Sequence, residues 1–341
     1  MNTPIRDLWY GLRFRLARPR KNYVEAAHFY ALDDANRAAL LFKKSVRFIE
    51  LEISSYCNRV CAYCPNVFID RRSAQHYMDD GVFDNLMRAL GRIGYAGVIR
   101  LHRYNEPLSD RDYAIRRIRQ IRAAIPDAVL EIYTNGDYLK HDYVAELRDL
   151  GCRKMFVNAH VNWDEYDEQK GWDHLGKLVE KLGFPHHANP ATPTEISYTV
   201  DVGGGMEFTY AMNNFYGENA DGRAVASDRG QSLDIATDYV RTAPCLRPFD
   251  ELQVEYTGTL APCCHIRTDV PKHKDLGMGR VTADNDPFLE WASANAAAWR
   301  RSMITYDVKD APCTTCDYKP TGENAKIRAW AARVKAEAAN P

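Results

Sequence analysis

The sequence predicts an α/β fold: a partial (β/α)6 parallel barrel followed by a small C-terminal domain made of a hairpin and helices. Short β-branched runs alternate with helical stretches through residues 46–202, the rhythm of βαβ units with right-handed crossovers. Residues 203–243 turn rich in Gly, Asp and Asn and read as a linker or irregular lobe. From Cys245 the texture becomes a hairpin followed by helices. The expected domains are an N-terminal helical extension (1–45), the barrel (46–243), a small cysteine-bearing domain (244–320) and a C-terminal helix (321–341).

The elements follow in order. Residues 1–21 hold six Lys/Arg against one acid, with Trp9, Tyr10, Phe14 and Leu16 interleaved. They read as an amphipathic arm or as a solvated helix over one end of the fold. Residues 46–54 alternate and are β-branched, the first strand. Asp79 or Asp80 caps a helix through Met87, Leu90 and Ile93 that stops at Gly94. The second strand is 97–102. A basic amphipathic helix over 108–125 ends at Pro126. The third strand, 128–134, stops at Asn135-Gly136, and a short helix over 143–150 closes at Gly151. Strand 154–158, helix 163–182 and strand 195–202 follow, with a sixth strand around 208–215. Residues 252–261 fold as a hairpin about Thr257-Gly258. Helices over 287–303 and 323–339 finish the chain.

Composition bounds the function. The 341 residues are 45% hydrophobic and 27% charged, with a net charge of −1, so no global field favours nucleic acid. No apolar run reaches the length of a membrane span. Arg6, Arg13, Arg15 and Arg18 interrupt any signal-peptide core, which points to the cytoplasm. Nine cysteines at 57, 61, 64, 152, 245, 263, 264, 313 and 316 are an odd, clustered set. In a reducing compartment such clusters ligate metal or do redox work.

Cys57-Asn-Arg-Val-Cys61-Ala-Tyr-Cys64 places three thiols on the loop after the first strand. Structural zinc and ordinary iron–sulfur sites want four protein ligands. Three thiols therefore read either as a cubane with one open iron or as a zinc site with a distant fourth ligand. The spacing, with aromatic Tyr63 before the last Cys, resembles the radical S-adenosylmethionine (SAM) family. That resemblance implies a SAM-binding [4Fe–4S] cluster on Cys57, Cys61 and Cys64. After the second strand comes Tyr104-Asn105-Glu106-Pro107, where the family carries a Gly-Gly-Glu-Pro-like segment that binds the methionine amino group. The resemblance assigns cofactor contacts to Tyr63, Asn105, Glu106 and Pro107. This chain departs by having Tyr-Asn in place of Gly-Gly. Asn135 and Asn158, at the ends of strands three and four, lie where ribose or carboxylate contacts would fall; turn-capping is their other reading.

Cys245 and Cys263 flank the hairpin and Cys313-Thr-Thr-Cys316 follows, enough for a four-thiolate cage holding zinc or an iron–sulfur cluster. The arrangement resembles the C-terminal SPASM extension in its shorter twitch form, which implies one auxiliary [4Fe–4S] cluster on Cys245, Cys263, Cys313 and Cys316. Cys264 is a hydrogen donor or a packed thiol, and Cys152 a core residue. His102 and His265 read as structural or outer-sphere residues. Gly203-Gly-Gly205 lacks the dinucleotide spacing, and no Walker loop or nucleophile elbow is present.

The resemblance implies a 5′-deoxyadenosyl radical that takes hydrogen from an unactivated C–H. Dehydrogenation or epimerisation would follow, with an electron donor such as flavodoxin or ferredoxin. Few residues precede the first strand, leaving no room for a peptide leader-binding module. The expected substrate is thus a small polar, sugar- or aminocyclitol-like molecule. A ribosomally made peptide is the alternative, and a non-enzymatic zinc scaffold the remote one.

Overall fold

The computed structural model describes residues 19–61, 64, 66, 69–160, 167–214, 238–318 and 324–339. Most of the basic arm, Tyr63, the start of the 163–182 helix and Phe215 lie outside them. Ten strands form one sheet: β1 (Phe48–Leu51), β2 (Val98–Arg100), β3 (Val129–Thr134), β4 (Cys152–Asn158), β5 (His186–Ala188), β6 (Glu195–Val200), β7 (Glu207–Asn213), β8 (Glu251–Val254), β9 (Thr259–Ala261) and β10 (Gly279–Arg280). Their order is β10-β9-β8-β1-β2-β3-β4-β7-β6-β5. The six strands from β8 to β7 are parallel. Antiparallel pairs extend both edges.

Period-two alternation splits this sheet into two chemically distinct faces. Ile49, Leu51, Ile99, Leu101, Leu130, Ile132, Met155 and Val157 are fully buried and join the apolar core. The opposite face carries a polar row at one level across all six parallel strands: Gln253, Glu50, Arg100, Glu131, Lys154 and Glu207. Arg100 ties the row together, 2.9 Å from Glu131 and 3.4 Å from Glu50. An apolar filling is the rule for the inside of a closed parallel barrel. A polar one implies that this face serves a ligand.

The helices pack by their apolar stripes. In α1 (Ala35–Ser45) Asp34 accepts from two first-turn amides. In α2 (Asp80–Arg92) Asp79 is the cap, and Val82, Phe83, Leu86, Met87 and Leu90 form the buried stripe. The crossovers α3 (Arg111–Ala124), α4 (His141–Asp149) and α5 (Glu168–Leu182) follow β2, β3 and β4.

Three expectations need correction. The strand expected over 195–202 is β6, and it runs antiparallel to both neighbours. Only residues 201–206 separate β6 from β7, and a parallel return needs about a dozen residues. The strand expected around 208–215 is β7, the fifth parallel strand, and the sixth is β8 on the far side of β1. The expected hairpin does form as β8–β9. Its first strand nonetheless belongs to the parallel sheet, beyond the boundary drawn at 243/244. Finally, the single helix expected over 287–303 is two, α7 (Pro287–Trp291) and α8 (Ala294–Ile304). Ser293 separates them, its hydroxyl accepting from Ala296 N–H and donating to the Met278 carbonyl. Before this segment come α6 (Arg247–Asp250) and after it α9 (Ala325–Ala339). Phe29, Leu246, Phe249, Ile304, Ile327 and Val334 form a second small core beneath α9.

Gly258 at the β8–β9 turn has φ +85°, and a Cβ there would press on the Val281 carbonyl. Gly258→Ala is expected to lower stability by more than about 1 kcal/mol in urea unfolding. An unchanged midpoint would show that the turn relaxes freely.

Candidate functional site

At the end of the sheet where β1 finishes, the loops after β1, β2, β3 and β4 surround a cleft of about 390 Å³. Cys57, Cys61 and Cys64 line it together with Asn105, Glu106, Asn135 and Asn158. The topology explains the convergence. Parallel strands deliver successive loops to one end, the end at which α/β sheets carry their sites.

Backbone and side-chain bonds fix the cysteine loop. Cys57 N–H donates to the Arg71 carbonyl at 3.1 Å, and Cys64 N–H to the Cys61 carbonyl at 2.9 Å. Arg59 and Asn58 reach the Asp137 carboxylate of the β3 loop, at 2.5 and 2.6 Å. Arg59 also donates to the His160 carbonyl. Burial pushes the Cys57 thiol up to about 12, and the nearby Glu106, Cys64 and Cys61 add to the shift. Such a thiol ionises only beside a cation, so the donor set fits a thiophilic iron centre. Among the described residues no three His, Cys, Asp or Glu groups close on a single ion. Cubane ligands each bind a different iron and stand further apart.

Glu106 is the most constrained carboxylate of the cleft. It accepts from Thr134 Oγ1 at 2.6 Å, Asn135 N–H at 2.8 Å and Leu108 N–H at 3.1 Å. Burial raises its pKa to about 7 against these bonds. Its own N–H donates to the Tyr56 carbonyl at 2.7 Å, tying the β2 loop to the cysteine loop.

The other expected contacts divide. Asn105 lines the cleft, but its side chain serves its own turn, accepting from Arg103 N–H and donating to the Leu101 carbonyl. Pro107 is buried and does not line the cleft. The Asn135 side chain donates to Asn58 and accepts from Asp137 N–H, which joins two loops. Asn158 has a buried Oδ1 without a partner among the described residues.

Sequence reasoning missed Arg59, Asp137, Tyr133, Phe156 and His160, and gave His102 an outer role; all but Asp137 line the cleft. The signal for Tyr133 and Phe156 was available as strand parity: both stand two residues beyond the polar row on their strands. Arg59 and Asp137 are joined only by the fold.

The second set of thiols gathers beside β8. Cys313 is pushed up to about 12 by burial, with Cys245 and Cys316 adding to it. Burial likewise raises Cys263, with contributions from Cys264, Cys313 and Cys245. These mutual fields place the four thiols in one locale. Burial also works to raise Cys316, but His265 at 3.8 Å and Arg241 outweigh it and lower that thiol. Buried Arg241 donates to the Pro244, Cys316 and Tyr318 carbonyls, binding the two cysteine segments together. The adjacent Cys264 sulfur takes a bond from Arg247 at 3.2 Å. Cys152 lies in the core.

A buried charge network connects the two thiol sets. Arg71 bonds Glu52 at 2.7 Å and also pairs with Asp269. Arg267 bonds Asp269 and, at 2.9 Å, Asn66. Arg103 bonds Glu255 at 3.0 Å and the Ile266 carbonyl at 2.6 Å. The Tyr104 hydroxyl donates to the Cys264 carbonyl at 2.7 Å.

Comparison with known proteins follows the same lines. Residues 51–181 match the radical SAM superfamily. Over these residues the chain is similar to radical SAM domains. Over 151 residues it is 35% identical to the S-adenosyl-L-methionine-dependent 2-deoxy-scyllo-inosamine dehydrogenase of Niallia circulans, a stretch covering 43% of this chain and 58% of that relative. The fold is similar to the crystal structure of BtrN in complex with AdoMet and 2-DOIA, with TM-score 0.54 and 23% identity, covering 76% of this chain and 87% of that one. An open-conformation BtrN structure gives TM-score 0.51 at 21% identity, covering 81% and 92%. No helix among the described residues is long and apolar enough to cross a membrane.

Arg71→Met is expected to cost about 3–5 kcal/mol, because it removes the ion-pair partner of Glu52, which is only 1% exposed. Urea unfolding measures it. A loss under about 1 kcal/mol would show that the network is not what holds the two loops.

Proposed function

We propose that the protein is a radical SAM dehydrogenase that oxidises a secondary alcohol of a small cyclic amino-alcohol. The observation that carries the reading is the convergence in one cleft of Cys57, Cys61 and Cys64 with the buried carboxylate of Glu106. When bound, a [4Fe–4S] cluster on those three thiols, together with SAM, supplies a 5′-deoxyadenosyl radical that takes hydrogen from carbon. The chain's own residues do the rest. The carboxylate of Glu106 receives the methionine ammonium, held ready by Thr134, Asn135 and Leu108. Asn158 Oδ1, unpartnered and buried, is the acceptor for a hydroxyl. Tyr133 and Phe156 wall the cleft and keep water from the reacting carbon.

Cys245, Cys263, Cys313 and Cys316 are the ligands we assign to an auxiliary [4Fe–4S] cluster of the twitch type, a one-electron acceptor. Flavodoxin or ferredoxin is the class of donor that suits the first cluster. Nine cysteines outside any disulfide suit the reducing cytoplasm. Three features favour a small amino-alcohol over a peptide: the modest cleft, the polar face beneath it, and the substrate named for the relative, 2-deoxy-scyllo-inosamine.

Anaerobically reconstituted protein is expected to hold about eight irons. It should form 5′-deoxyadenosine, and a ketone from 2-deoxy-scyllo-inosamine. Cys57→Ala should abolish 5′-deoxyadenosine formation. Zinc without iron, or cleavage surviving in Cys57→Ala, would refute the reading.

A further expectation concerns pH. The ammonium is held by the ionised form of Glu106, whose pKa is raised to about 7. SAM affinity should therefore be full above that pH and fall by up to about tenfold per unit below it. Equilibrium binding measures this, and Glu106→Gln should flatten the profile. An unaltered profile in that variant would remove Glu106 from the role.

A further inference from the structure

We propose that His102 is the proton acceptor of the oxidation, taking the hydroxyl proton of the substrate alcohol. The inference rests on the dehydrogenase reading above. His102 lies two residues beyond Arg100, at the end of β2, and lines the cysteine cleft beside Tyr133, Phe156 and Asn158. Its ring is stacked on Tyr133, with centroids 4.7 Å apart and planes at 29°. Nδ1 is buried and has no hydrogen-bond partner among the described residues. A buried polar atom left unpaired is costly, and a hydroxyl seated against this wall of the cleft would complete it.

The other polar groups of the cleft are less suited. Glu106 already accepts three bonds. An Asn158 amide accepts a hydrogen bond but not a proton. His160 has a partner of its own, whereas His102 Nδ1 has none among the described residues. The charged groups facing His102 are Glu50 and Glu131 from the neighbouring strands, and Arg100 and Arg103 from its own segment. The two carboxylates favour an imidazolium and the two guanidiniums oppose it. Burial lowers the His102 pKa to about 4, so the ring enters the reaction neutral, with a lone pair on one nitrogen.

The step balances. One hydrogen atom passes from the carbinol carbon to the 5′-deoxyadenosyl radical, giving 5′-deoxyadenosine. The O–H proton passes to Nδ1, with the ring's own hydrogen on Nε2. The remaining electron would go to a one-electron acceptor of the iron–sulfur class, which the four C-terminal cysteines would hold. The C–O bond becomes C=O, and the imidazolium returns its proton to solvent through the cleft.

The test uses reconstituted enzyme and 2-deoxy-scyllo-inosamine. His102→Gln keeps a neutral acceptor that cannot be protonated. It should lower ketone formation by about a hundredfold or more. Binding of the amino-alcohol to oxidised, non-turning-over enzyme should change no more than a few-fold. During turnover the variant should accumulate a carbon-centred radical visible by electron paramagnetic resonance. His102→Ala, a second variant, should regain ketone formation when imidazole is added. The proposal is overturned if His102→Gln keeps its ketone yield. Loss of amino-alcohol binding in parallel with product would overturn it too, by making His102 a packing residue. Wild-type enzyme that cleaves SAM yet makes no ketone would sink the dehydrogenase reading itself, and the role of His102 with it.

Discussion

The pairing of Arg71 with Glu52 and Asp269 is the interaction on which the arrangement of this molecule depends. Glu52 extends β1, Arg71 lies just past the first cysteine loop, and Asp269 follows the Cys263-Cys264 pair. One guanidinium thus joins segments nearly two hundred residues apart in the chain. Arg267 and Arg103 repeat the motif with Asp269 and Glu255. A buried ion pair contributes little net stability when intact, but it excludes arrangements that would strand one of its charges. Its effect here is to hold the two thiol regions in a single relation to the sheet.

The sheet supplies the second constraint. Its apolar face is covered by helices, while its other face carries Glu50, Arg100, Glu131 and Gln253. Gln253 is fully buried with both amide atoms unpartnered. His102, Tyr133 and Phe156 stand at the level above, where the cleft opens. Polar layers below and thiols above are the reverse of a packed core, and they divide labour along the strand direction. In the function proposed above, the thiols and Glu106 hold the cofactor, and the strand-borne side chains face its substrate.

Much of the chemistry was legible in order and spacing. Three thiols within eight residues, placed after an alternating strand, are local features, and local features survive folding unchanged. Asp79, Gly94 and Pro126 marked helix limits for the same reason, since caps and breakers act within a few bonds. The direction of β6 was also readable, because the six residues before β7 cannot span a crossover, yet a β-branched run says nothing of direction. Ser293 could have been taken as a cap, but an Ala-rich context conceals it.

The sequence by itself determined the cysteine sets, the βα rhythm and the candidate carboxylate, because each depends on neighbours along the chain. Only the tertiary structure decided that β8 completes the parallel sheet and that Asn105 spends its amide on its own turn. It alone showed that Asn158 and His102, at the cleft wall, each keep an atom without a partner among the described residues. Those outcomes depend on which distant groups compete for each hydrogen bond, and that competition is settled when the strands come together.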